Sequence, residues 1–285
     1  MNKVIRVNKL RRETKVNIFG VVGHPIAHSK SPEIHGLFAQ QCKVDIDYKK
    51  FDVAPDDFEA FIRDFFASGG LGLNITVPFK EDAFRLSTPA NEKVKLSKAV
   101  NTLYLNDAGE LTGDNTDGPG LVKDLLGNDI QLKEKRLLIL GAGGAVRGIL
   151  PSLIEQTPKS ITIANRTIQK AEQLKKEFIH LLDLKVLNLE EVEGESYDVI
   201  INATSLGLQG KTPKISNAAI NARTCCYDLM YSNQNTAFVS WCLENNAKKA
   251  IDGLGMLVEQ AAVSFEIWLG AAPETGAVID RMRVG

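Results

Sequence analysis

Apolar positions recur along the chain in two alternating rhythms. Short apolar runs end in glycine, proline or polar residues and read as strands: 17–22 (NIFGVV), 71–77, 99–105, Arg136–Leu140, Ser160–Ala164, Lys185–Leu187, 197–202 and 224–228. Between them lie stretches of helical spacing. Ser31 stands as an N-cap, Pro32 at the first helical position and Glu33 favourably in the first turn, ahead of a stripe of Ile34, Leu37 and Phe38. Phe58, Phe61, Ile62, Phe65 and Phe66 recur at i, i+3, i+4, i+7 and i+8 before Gly69-Gly70, which marks a core-facing helix. From about residue 117 the pattern becomes a series of β-α units. After Gly253-Leu254-Gly255 a long helix is expected to about residue 269, and a short one over 273–283. The alternation predicts an α/β protein with mostly parallel sheet.

A length of 285 residues favours two lobes. No run of 18 apolar residues occurs, and the first fifteen residues lack the apolar core of a signal peptide, so the chain reads as cytoplasmic, with no membrane partner. Those fifteen residues receive no role. A formal charge of −1 gives no basic surface for nucleic acid. Four cysteines (Cys42, Cys225, Cys226, Cys242) and four histidines (His24, His28, His35, His180) form no ligand-spaced cluster, so no metal site is expected. Cys225 and Cys226 read as small apolar residues of a buried strand. A monomer and a homodimer fit equally.

Two segments carry the first chemical signal. Leu137-Leu138-Ile139-Leu140 runs into Gly141-Ala142-Gly143-Gly144-Ala145 and then a helical stretch. That is the strand–turn–helix setting in which glycines let backbone approach a pyrophosphate at a helix N-terminus. A turn of glycines can also bind nothing. The next strand, however, ends in Asn165-Arg166-Thr167 with Lys170 one turn on, where NAD-binding versions carry a carboxylate for the ribose 2′-hydroxyl. Donors and positive charge there suit a 2′-phosphate, which points to NADP.

The first lobe offers polar side chains at strand ends. Ser29 and Ser31 place two hydroxyls beside a helix start, suited to a carboxylate, although capping alone would also explain Ser31. Thr76 and Lys80 follow one strand, Asn101 another, and Asp117 opens the helix into the second lobe. A lysine held by an aspartate can move the proton that hydride transfer to a ketone requires. Singly, such a pair is often just two surface charges.

As an ordered set the segments are distinctive: PIAHSKSP, NITVPFK, AVNTL, GDNTDG, GAGGA, NRT, NATS, CYDLMY and GLGMLVEQAA, spanning residues 25 to 262. In this the chain resembles the shikimate dehydrogenases. The resemblance implies reversible, NADP-dependent reduction of 3-dehydroshikimate to shikimate, an oxidoreductase step in chorismate and aromatic amino-acid biosynthesis. It implies Lys80 and Asp117 as the catalytic pair. Ser29, Ser31 and Tyr231 would hold the substrate carboxylate, and Thr76, Asn101, Asp117 and Gln260 the ring hydroxyls. Gly141 to Ala145 would wrap the pyrophosphate and Asn165 to Lys170 the adenosine phosphate. Leu229 and Gly253 would lie near the nicotinamide, with Glu92 also on the cofactor side. Residues 1–116 and 253–285 would form an open α/β substrate lobe and 117–252 a Rossmann lobe. Lys170 stands where many members have Arg, which keeps charge but loses the planar fork. The alternatives are an NAD-using quinate/shikimate dehydrogenase, a non-catalytic dinucleotide sensor on the same fold, and a related folate or glutamyl-tRNA reductase-like enzyme, which the paired serines fit poorly.

Overall fold

The computed structural model describes residues 17–284; the N-terminal segment to which the sequence assigned no role lies outside the described residues. The first half of the described chain alternates as expected. It contains β1 (Asn17–Gly23), α1 (Ser31–Cys42), β2 (Ile46–Asp52), α2 (Phe58–Ala67), β3 (Gly72–Ile75), α3 (Lys80–Leu86), β4 (Thr88–Pro89), α4 (Glu92–Ser97), β5 (Thr102–Leu105) and β6 (Leu111–Asp114). α5 (Asp117–Gly127) then leads into β7 (Arg136–Leu140), α6 (Gly144–Glu155), β8 (Ser160–Ala164), α7 (Ile168–Phe178), β9 (Lys185–Leu187), β10 (Val199–Asn202), β11 (Cys225–Asp228), α8 (Ala237–Glu244) and β12 (Lys249–Ile251). The chain returns through α9 (Leu254–Leu269) and ends on α10 (Gly276–Val284).

Two six-stranded sheets result, one per lobe. The second runs β12-β11-β10-β7-β8-β9 with every pairing parallel, the doubly wound dinucleotide-binding order. Its four central strands are largely buried, and Leu137, Leu138, Ile139 and Leu140 are all fully buried. The order reverses between β7 and β10, which opens a crevice above their carboxyl ends.

Pairing is mostly parallel, as expected, in eight of the ten strand pairs among the described residues; the two antiparallel pairs both lie in the first sheet, β2-β1-β3-β5-β6-β4. β1 pairs parallel with β2 and β3, but β5 runs antiparallel to both β3 and β6. The reason is the short link between β5 and β6. Asn106 Oδ1 accepts from the backbone N–H of Ala108 and of Glu110, both at 3.0 Å, and closes a tight turn too short for a parallel crossover. β2 and β6 escaped the strand reading because they alternate with charged or small residues (IDYKKFD, LTGD) rather than forming an apolar run.

α2 buries Phe58, Ile62 and Phe65, the stripe read from the sequence. Ser31 is not the cap of α1. Lys30 already has helical backbone angles, so Ser31 lies inside the first turn and makes no capping hydrogen bond. Cys226 packs in the core beneath β11, and the four cysteines are free thiols.

Candidate active site

Lys80 is the first residue of α3 and Asp117 the first of α5. Their side chains, 19% and 9% exposed, meet at 2.5 Å between Nζ and Oδ2. Asp117 therefore sits at a helix N-terminus, where the dipole favours a carboxylate. Lys80 is tied to the segment just before β5 by its carbonyl, which accepts from Val100 N–H at 2.9 Å. Asn101 follows directly.

Asn101 orders the carboxylate. Its Oδ1 accepts from Thr116 N–H at 2.8 Å, a donor that only an oxygen can meet. The amide nitrogen must then face the other way. There it donates to Asp117 Oδ1 and to Thr116 Oγ1, both at 2.9 Å, and to Gln260 Oε1 at 3.2 Å. Gln260 in turn donates to the Leu257 carbonyl at 2.8 Å, which fixes its own orientation. Asn115 Oδ1 accepts from Asp117 N–H at 3.1 Å and closes the turn. The arrangement can hold a hydroxyl-bearing ligand and pass a proton at Lys80 Nζ.

Ser29 and Ser31 lie at the start of α1, with 3.2 Å between their hydroxyl oxygens. Tyr231 comes from the other lobe, yet its ring packs against the cluster formed by α1 and α9. Burial pushes its phenol up from the usual range, so it stays a neutral donor. Thr76 follows β3, its backbone N–H held by the Val22 carbonyl at 2.9 Å and its side chain partly exposed. Glu92 stands apart. Its side chain is 80% exposed on α4 and pairs with Lys95 at 2.5 Å, not with any other residue of the set.

The glycine turn has the shape the sequence implied. Gly141 has φ +111, a conformation that favours glycine, and a side chain there would also meet the Ala203 carbonyl. A Cβ on Gly143 or Gly144 would project into open space at the start of α6. Bare backbone and a helix N-terminus thus face the crevice between β7 and β10, which fits a pyrophosphate. Asn165, Arg166, Thr167 and Lys170 follow β8; Arg166, Thr167 and Lys170 are exposed, and Asn165 Nδ2 donates to the Thr167 carbonyl at 2.8 Å. These donors fit a 2′-phosphate. Leu229 and Gly253 are neighbours, since a side chain on Gly253 would collide with the Leu229 carbonyl.

Beneath the site runs a buried polar network that the sequence did not single out. Ser264 Oγ lies 2.8 Å from Thr102 Oγ1 and 3.2 Å from Thr116 Oγ1, and it accepts from Asn74 Nδ2 at 2.9 Å. Asn74 Oδ1 accepts from Tyr48 OH at 2.7 Å and faces His35 Nε2 at 3.1 Å. Because that oxygen can only accept, His35 carries its hydrogen on Nε2; Nδ1 is buried without a partner among the described residues. Burial lowers the His35 pKa to about 3, so the ring is neutral. A polar residue inside the buried strand GLNI was the one available signal for Asn74. Ser264 and His35 look in sequence like ordinary helix residues.

Among the described residues no group of three or more His, Cys, Asp or Glu side chains could hold a metal ion, and no helix is long and apolar enough to cross a membrane.

Three family models match along the chain: the shikimate dehydrogenase substrate binding domain over residues 21–103, shikimate/quinate 5-dehydrogenase over 121–224, and the shikimate 5′-dehydrogenase C-terminal domain over 253–283. The shikimate dehydrogenase (NADP(+)) of Marinobacter nauticus is 47% identical over 271 residues, covering 94% of this chain and 98% of that protein. An Ael1 enzyme from Pseudomonas putida superposes with a TM-score of 0.88 at 40% identity, over 94% of this chain and 99% of that one. The shikimate 5-dehydrogenase of Thermus thermophilus, solved with NADP(H) and shikimate, gives a TM-score of 0.84 at 29% identity, over 94% and 99% of the two chains.

Proposed function

Because the chain belongs to the shikimate dehydrogenase family, whose reaction is the reversible NADP-dependent reduction of 3-dehydroshikimate to shikimate, we propose how its residues divide that work. The observation that carries the proposal is the Lys80–Asp117 pair, with Asn101 fixing the carboxylate from its far side.

Of the described residues, 17–116 and 253–284 form the substrate-binding and catalytic lobe, and 117–252 the NADP-binding lobe. Ser29, Ser31 and Tyr231 hold the substrate carboxylate. Thr76, Asn101, Asp117 and Gln260 read the ring hydroxyls. Gly141, Ala142, Gly143, Gly144 and Ala145 hold the pyrophosphate, and Asn165, Arg166, Thr167 and Lys170 the adenosine phosphate. Leu229 and Gly253 flank the nicotinamide, and Glu92 lies on the cofactor side. When bound, NADP takes or gives the hydride. Lys80 supplies the matching proton step: in reduction Nζ gives its proton to the ketone oxygen, and in oxidation it takes the hydroxyl proton. Asp117, held by Asn101, keeps Nζ pointed at that oxygen and balances the ammonium charge.

The test is a spectrophotometric assay of NADP reduction with shikimate, run beside quinate and beside NAD. Turnover with NADP and shikimate above the other three pairings is the expected result. Faster turnover with NAD and quinate would overturn the cofactor and substrate assignment. Binding of NADPH without turnover on 3-dehydroshikimate would make the protein a sensor.

A further inference from the structure

Tyr227 lies on β11, fully buried, two residues before Leu229. Its hydroxyl donates to Asp124 Oδ2 at 2.5 Å and accepts from Met256 N–H at 3.3 Å. Neither partner belongs to the sheet that carries Tyr227: Asp124 is on α5 and Met256 on α9. On α5, Asp117 and Asp124 are seven residues apart and share a face, two turns from one another. On α9, Met256 and Gln260 are four apart and also share a face. One hydroxyl thus reaches both helices just below the residues they present to the site.

The two helices have no slack between them. A Cβ on Gly120 would fall 2.6 Å from the Gln260 backbone nitrogen, and one on Gly255 would collide with the Asp124 carboxylate. With the helices this close, a change in how either meets β11 moves Asp117 and Gln260 relative to Leu229. The Asp124 carboxylate is itself buried, and its other oxygen accepts from Asn128 Nδ2 at 3.0 Å. Without the Tyr227 hydroxyl it would be short of a donor and would shift to find one.

We infer that Tyr227 is a positioning residue for hydride transfer, its hydroxyl setting the helices of Asp117 and Gln260 against the strand end assigned above to the nicotinamide. The inference rests on that assignment. It concerns geometry at the reacting atoms, so it predicts a change in the chemical step and not only in stability.

The experiment compares the full-length wild type with Tyr227→Phe, Asp124→Asn and Asp124→Ala, below their melting temperatures. Shikimate is used in ordinary form and deuterated at the carbon that is oxidised. In Tyr227→Phe, kcat should fall about tenfold with a larger deuterium isotope effect and KM for NADP within about twofold of wild type. Asp124→Asn keeps an acceptor for the phenol and should stay within about threefold of wild-type kcat. Asp124→Ala removes the acceptor, leaves the ring in place and should behave as Tyr227→Phe does. It supplies the same comparison if Tyr227→Phe does not fold. Wild-type kcat and isotope effect in folded Tyr227→Phe or Asp124→Ala would overturn the inference, as would an Asp124→Asn protein as impaired as the other two. Failure of the wild type to reduce NADP with shikimate would instead overturn the reaction on which it rests.

Discussion

Asn101 donates from Nδ2 to Asp117 Oδ1 at 2.9 Å, and this leaves Oδ2 alone to face Lys80. The carboxylate is held at both oxygens and cannot turn without breaking one contact. Asn101 cannot turn either, because Thr116 N–H requires its oxygen. Removing the amide therefore frees Asp117 and also removes the group proposed to read a ring hydroxyl. Asn101→Ala should lower kcat/KM for shikimate by about 10²-fold, with kcat and KM worsening together. Its KM for NADP should stay near wild type. Steady-state kinetics at saturating NADP checks this, and an unchanged kcat would mean that Asn101 does not order the acid/base pair.

Lys80→Ala tests the proton step itself. Its expected effect is a fall in kcat of about 10²–10⁴-fold with little change in KM, as for loss of a general acid/base. The side chain is only 19% exposed, so water does not simply take its place. Near wild-type turnover in the variant would remove Lys80 from the mechanism.

Arg166 is exposed just beyond β8, free to meet a phosphate that NAD lacks. Arg166→Ala should raise KM for NADP several-fold while leaving KM for NAD within about twofold, because a charge-assisted contact is lost only with the former. Titrating both cofactors at fixed shikimate gives the ratio. Equal effects on the two would place Arg166 away from the 2′-phosphate.

The all-parallel sheet was legible because each of its central strands is an apolar run before a turn; Arg136–Leu140 with Gly141 behind it is the clearest. The mixed sheet was less so. β6 is four residues long with a glycine and an aspartate, and what fixes its direction is the Asn106 turn, a side-chain device that periodicity cannot register. At the site, Lys80 and Asp117 stood out by residue type and by strand-end position. The network of Asn74, Ser264 and His35 did not, since a buried serine and a solvent-facing one have the same sequence signature. Ser31 misled for a related reason. A serine before proline reads as a cap, but Lys30 extends the helix by one residue and the Ser31 hydroxyl turns to Ser29 instead.

His35 gives the fold an acid-sensitive point with a defined sign. Burial lowers its pKa from 6.5 to about 3, and the hydrogen bond with Asn74, which acts in the opposite direction, is the smaller effect. Above pH 6.5 both the native and the unfolded chain keep the ring neutral, and its contribution to stability is fully present. As pH falls the unfolded chain takes the proton first, so that contribution is lost progressively between about 6.5 and about 3. At pH 5 the loss should be on the order of 2 kcal/mol. His35→Phe keeps a ring against Tyr48, whose centroid lies 4.3 Å from that of His35, and leaves Tyr48 to satisfy Asn74 Oδ1. The variant should then lose less stability than wild type between pH 7 and pH 5, by about that amount. Urea denaturation of both proteins at the two pH values measures it. Equal losses would mean that His35 takes a proton in the native state about as readily as in the unfolded one, which a ring stacked between Tyr48 and Phe265 and short of a partner at Nδ1 could not do.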